Sequence, residues 1–94
     1  LIKMSTIAMG CFVRSVAGRD AGKIFLVLDE DGLRETVVDG QLRRMEHPKT
    51  KNIKHVVFYA ENRNERLLGK ILEGIRLEDA EVRKAIRQAS EEVL

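Results

Sequence analysis

The stretch "SVAGRDAGKIFLVLDEDG", residues 15–32, decides the fold, because it admits two incompatible readings. In one, Gly18, Gly22 and Lys23 cradle phosphates. That chemistry requires two glycines five apart, a lysine followed by a hydroxyl residue, and then a helix whose N-terminus faces the phosphate. Here the glycines are four apart, Ile24 follows Lys23, and residues 24–28, "IFLVL", are five consecutive apolar residues. A run of that length between Lys23 and Asp29 predicts a strand, and its unbroken apolarity predicts burial on both faces. The nucleotide-loop reading is set aside. The glycines instead supply turn geometry between two antiparallel strands. The same corner gathers Arg14, Arg19 and Lys23, which turn geometry does not explain.

Working outward, residues 10–16, "GCFVRSV", read as the strand before this corner. After the "DEDG" turn, residues 35–40, "ETVVDG", read as a third strand closed by an Asp-Gly hairpin signal. Residues 41–46, "QLRRME", read as a short fourth strand stopped by Pro48. "PKTKN" reads as a basic loop, and residues 53–60, "IKHVVFYA", as a fifth strand. The period then changes. Leu67, Leu68, Ile71 and Leu72 are spaced as on a helix face, with Asn62 or Asn64 as the N-cap and Gly74 as the C-terminal stop. A second helix begins near Asp79, with Leu77 and Val82 as a hydrophobic staple around a Glu78 cap. Its apolar stripe is Val82, Ala85, Ile86 and Ala89, while Arg83, Lys84 and Arg87 face solvent. Strands followed by helices predict an α+β fold. Five short strands with tight turns predict a small closed barrel over residues 8–60, with residues 61–94 packed on it as a helical extension of one domain.

Ninety-four residues suit one small domain. The formal net charge of +2 conceals an asymmetry. Residues 42–60 carry five Lys/Arg against one acid, whereas residues 1–41 and 61–94 are each −1. A concentrated basic segment attracts polyanions even on a nearly neutral molecule. One cysteine, Cys11, forbids an intramolecular disulfide and fits a cytoplasmic setting. Cys11, His47 and His55 fall short of the four ligands of a structural zinc site, so no metal or cofactor is expected. No apolar run is long enough to span a membrane, and no signal peptide is visible. Because the first residue is Leu1, the natural start is read at Met4 or Met9.

Gly10, "FVRS", "AGRDAGK" and "IFLVLD" together resemble the KOW motif, a strand–loop–strand whose loop glycine is matched by Gly22. The continuation "TVVDGQLRRMEHPKTKNIKHV" resembles the rest of a family of small bacterial KOW-domain RNA-binding proteins. That family is related to archaeal and eukaryotic large-subunit ribosomal proteins of the fourteen-e and twenty-seven-e types. The resemblance covers residues 8–57 and implies an SH3-like barrel with RNA as partner. It assigns RNA contact to Arg19, Lys23, Arg43, Arg44, Lys49, Lys51, Lys54 and His55, and the corner residue Arg14 joins them. Ala21 stands where the family often carries lysine, and Cys11 at a commonly basic or polar site. Both shift the expected contact toward residues 43–55.

The residue chemistry agrees with that expectation while leaving alternatives open. Arg43 and Arg44 offer guanidinium forks to phosphates, or form a plain solvated pair. Lys49, Lys51 and Lys54 flank a loop with few acids, which would neutralise phosphates or simply be solvated. His47 and His55 lack the partners of a catalytic set. Phe12, Phe25, Phe58 and Tyr59 are the only aromatics, most of them assigned to the core, with Tyr59 the candidate stacking platform. So few aromatics favour shape and backbone recognition of structured RNA over single-strand stacking. The reading is a non-enzymatic, ribosome- or translation-associated RNA-binding protein. Its runner-up is a protein-interaction module of the same barrel type, with oligomeric state open.

Overall fold

The computed structural model describes residues 8–60 and 63–93. Asn62 and Met4 lie outside the described residues. The chain runs β1 (Phe12–Ser15), β2 (Ile24–Glu30), β3 (Arg34–Val38), β4 (Lys49–Asn52), a 3₁₀ turn (Ile53–His55), β5 (Val56–Phe58), α1 (Glu65–Leu72) and α2 (Asp79–Val93). The fold is α+β. The strands form one antiparallel sheet in the order β4-β3-β2-β1-β5.

β2 organises everything else. Phe25 and Val27 join Ala8, Val13 and Val37 in one core on the inner face of the sheet. Leu26 joins Phe12, Val38, the helical residues Leu67, Val82, Ala85 and Ala89, and Leu77 from the α1–α2 connection in a second core on the outer face. Two-sided burial is why the strand reads as unbroken apolar sequence. The second core spans sheet and helices, so the helical segment is part of the same folding unit. Leu28 is the extra residue of a bulge between Val27 and Asp29, which bends β2 and re-sets its register against β3.

The expected closed barrel is not formed. β4 and β5 are the sheet edges and do not pair with each other. The sheet nevertheless curls. Lys51 on β4 reaches Ser15 on β1 with a 3.0 Å hydrogen bond. Flat strands three positions apart would be separated by about 14 Å. Backbone bonds at the 3₁₀ turn, from Ile53 N to Leu33 O and from Val16 N to His55 O, tie the open side further.

Two strand assignments also shift. Residues 41–46 form turns, and β4 begins after Pro48, at Lys49. The Lys-Thr-Lys-Asn sequence hides this strand because its inward-facing side chains, Lys49 and the buried Lys51, are lysines held by Asp20, not apolar residues. The segment 53–60 is a 3₁₀ turn and a three-residue strand instead of one long strand. Phe58 is 62 % exposed while Tyr59 packs partly against the outer core, which reverses their expected roles.

The helices end where the sequence says. Asn64 caps α1, its side chain accepting from Leu67 N at 2.9 Å. Gly74 takes φ 75°, and bonds from Gly74 N to Ile71 O and Ile75 N to Lys70 O complete a Schellman stop. On α1, Leu67 and Leu68 are buried but Leu72 is 62 % exposed, so the stripe is narrower than expected. At the start of α2, Glu78 N donates to Glu81 Oε2 at 2.8 Å while Leu77 and Val82 share the outer core. Glu81 Oε1 also pairs with Lys70 and Arg66, linking the two helices. The Lys70 hydrogen bond foremost, with the Glu78 N–H, lowers its carboxyl to about 2.

Candidate functional site

The β1–β2 corner is a tight loop. Gly22 has φ 93° and donates its N–H to Ser15 O, while Ser15 N donates to Lys23 O. Gly18 also has positive φ, so both glycines serve the turn geometry read from the sequence. Asp20 points back from the loop tip into a polar knot. Its Oδ2 meets Lys49 at 2.6 Å, and its Oδ1 meets Lys51 at 2.8 Å and the Ser15 hydroxyl at 2.7 Å. Lys51 donates further to Ala17 O and Ser15 Oγ, and its side chain is only 6 % exposed. Burial alone would raise the Asp20 carboxyl, but the hydrogen bonds from Lys49, Lys51 and Ser15 outweigh it and hold the group well below the usual carboxylate range.

The β3–β4 loop is a scaffold for Arg43 and Arg44. Asp39 Oδ1 accepts from Gln41 N and Arg43 N, and its Oδ2 pairs with Lys23 at 3.0 Å. Burial opposes ionisation of Asp39, but these donors prevail and lower its carboxyl. Arg43 O accepts from Asp39 N and Gly40 N, and Arg44 Nε donates to Gln41 O. Helix α2 holds this loop from the other side. Met45 N donates to Asp79 Oδ1 at 2.8 Å, and Arg83 donates to Gly40 O at 2.6 Å. A Cβ at Gly40 would stand 2.5 Å from Asp79 O, so the loop touches the helix backbone directly.

The sequence candidates fall into two groups that meet at the β1–β2 corner. In the first, Arg14 lies opposite Ile24 in the ladder, and Lys23, Arg43 and Arg44 belong to the Asp39 network beside it. In the second, Arg19 is on the loop tip, Lys49 and Lys51 hold Asp20, and Lys54 and His55 form the 3₁₀ turn bonded to Val16. Arg14, Arg19, Arg43, Arg44, Lys54 and His55 are exposed and have no ion-pair partner among the described residues. Lys51 is different. Its ammonium faces inward and braces the fold. Lys23 and Lys49 are half-buried and paired.

Other chemistry is sparse. No cluster of His, Cys, Asp and Glu suited to a metal occurs among the described residues. Burial raises the Cys11 thiol, which suits a packing role. No described helix is long and apolar enough to cross a membrane. Sequence reading missed the structural parts of the site: Ser15 and Asp20 in the knot, Asp39 in the loop, and Arg83 on α2. Asp39 was read only as half of an Asp-Gly turn signal, and Arg83 only as a solvent-facing position on α2. No family model matches the chain, and no curated protein matches it either.

Proposed function

We propose that this protein is a non-enzymatic RNA-binding domain of the KOW, SH3-like type. It would act with the translation machinery in the cytoplasm, recognise folded RNA by shape and charge, and need no cofactor. One observation carries the reading: exposed Arg14, Arg43 and Arg44 have no ion-pair partner among the described residues, while Asp20 and Asp39, the carboxylates built into the β1–β2 corner and the β3–β4 loop, are already engaged by lysines and backbone N–H groups. Arg44 gives only its Nε–H to Gln41 O, so its Nη groups and the guanidiniums of Arg14 and Arg43 remain for bidentate contact with phosphate oxygens. The strand order, the β2 bulge and the 3₁₀ turn between the edge strands fit the small-barrel type. The test is a titration of a structured RNA hairpin against wild-type protein and the R43A/R44A variant. The reading expects at least tenfold weaker binding in the variant, since each phosphate contact is lost together with its charge. Equal affinity in the two proteins would refute it.

A second reading has its own observation. Val57 and Phe58 are 43 % and 62 % exposed on the edge strand β5. An apolar edge strand is a docking surface for protein chains. Pull-down after nuclease treatment separates the two: partners that persist favour protein docking, and partners that vanish favour RNA.

A further inference from the structure

We propose that the groove between α2 and the β2–β3 side of the sheet is a nucleotide subsite, taking one phosphodiester and its ribose from the bound RNA. The inference rests on the RNA-binding reading and deepens it, because it gives the helical segment a share in recognition. The groove has a volume of about 370 Å³, within the range of small-ligand sites of about 300–1,000 Å³. Its lining combines the apolar Ile24 and Ile86 with the polar and cationic Lys23, Gln41, Arg83 and Arg87.

Charge decides the occupant. Asp39 is the one acid at the groove, and both its oxygens are taken, Oδ1 by Gln41 N and Arg43 N and Oδ2 by Lys23. The positive charges of Arg83 and Arg87 have no ion-pair partner among the described residues. Arg83 is pre-oriented, since Nη1 donates to Gly40 O at 2.6 Å and its remaining N–H groups are left for a ligand. Arg87 stands one turn further along the same face of α2. Exposed Arg14 adjoins the groove through its ladder partner Ile24. An anchored Arg83 with Arg87 beside it, at a groove also lined by Ile24 and Ile86, matches a phosphate joined to a sugar better than it matches a bare anion or an aliphatic chain.

The experiment compares wild type, Arg87→Ala and Lys84→Ala in binding one structured RNA hairpin from 50 to 300 mM salt, a range chosen to resolve counterion release. Lys84 is an exposed cation on the same helix that does not line the groove. The subsite predicts that Arg87→Ala weakens binding about 3- to 10-fold and flattens the salt slope by about 0.9, while Lys84→Ala does neither. If Arg87→Ala binds as wild type does, or if both variants weaken binding equally, the subsite is refuted and RNA binding elsewhere on the protein stands. If wild type itself shows no salt-dependent affinity for the hairpin, the functional reading falls and the subsite falls with it.

Discussion

Lys51 shows how one residue can belong to structure while its type suggests function. Its partner Asp20 is almost as buried as it is, and removing one member of such a pair leaves the other charge uncompensated. Lys51→Met should therefore cost about 3 kcal/mol in urea unfolding, whereas Arg43→Ala, an exposed position, should stay within about 0.5 kcal/mol. The sequence places both residues in the same basic segment and does not distinguish them. Only the curl of the sheet, which brings β4 over the β1–β2 loop, separates them. Because the Asp20 carboxyl is lowered on folding, its contribution is present above the unfolded carboxylate range near pH 4 and is lost as the medium becomes more acidic. Glu35 behaves in the opposite sense. It lies 4 % exposed opposite Glu30 in the ladder, with Oε1 unpartnered among the described residues. Burial foremost, and then the Glu30 carboxylate, push it up to about 7. Stability linked to Glu35 is thus fully present below its unfolded pKa and is lost as pH rises through about 7. Glu35→Gln should stabilise the protein by about 2–3 kcal/mol more at pH 8 than at pH 5, read from urea midpoints at the two pH values.

Among the elements, β2 and the two helices were legible because each carries a pattern with a single physical solution. Five apolar residues in a row require cover on both faces, and the helical stripe of Val82, Ala85 and Ala89 supplies one of the covers. β4 was illegible because an edge strand built on Lys51 has no apolar alternation. The 41–46 segment misled for the converse reason: Leu42, its apolar mark, is 76 % exposed, and the backbone is held by Asp39 and α2 instead of a ladder. The junction of that loop with α2 gives an element-scale prediction. Gly40 has φ 76° and no room for a Cβ, so Gly40→Ala should destabilise by about 3 kcal/mol in thermal or urea unfolding. The same variant should loosen Arg43 and Arg44 and weaken RNA binding even at temperatures where it stays folded. At the start of α1, Asn64→Ala should cost only about 1 kcal/mol, the usual loss of a helix cap.

For the whole molecule, the division of labour is between cations that brace and cations that face outward. Lys51, with Lys49, closes by side chains a sheet whose edge strands leave it open, and Asp39 together with α2 holds the loop that presents Arg43 and Arg44. A net charge of only +2 is therefore no measure of the field a polyanion would meet at this corner. The most direct test is the slope of log affinity against log salt concentration for wild-type protein and a structured RNA hairpin. Three to four phosphates engaged by the exposed arginines predict a slope of about −3, falling toward −1 in the R14A/R43A/R44A variant. A wild-type slope near zero, or one unchanged in that variant, would contradict the account.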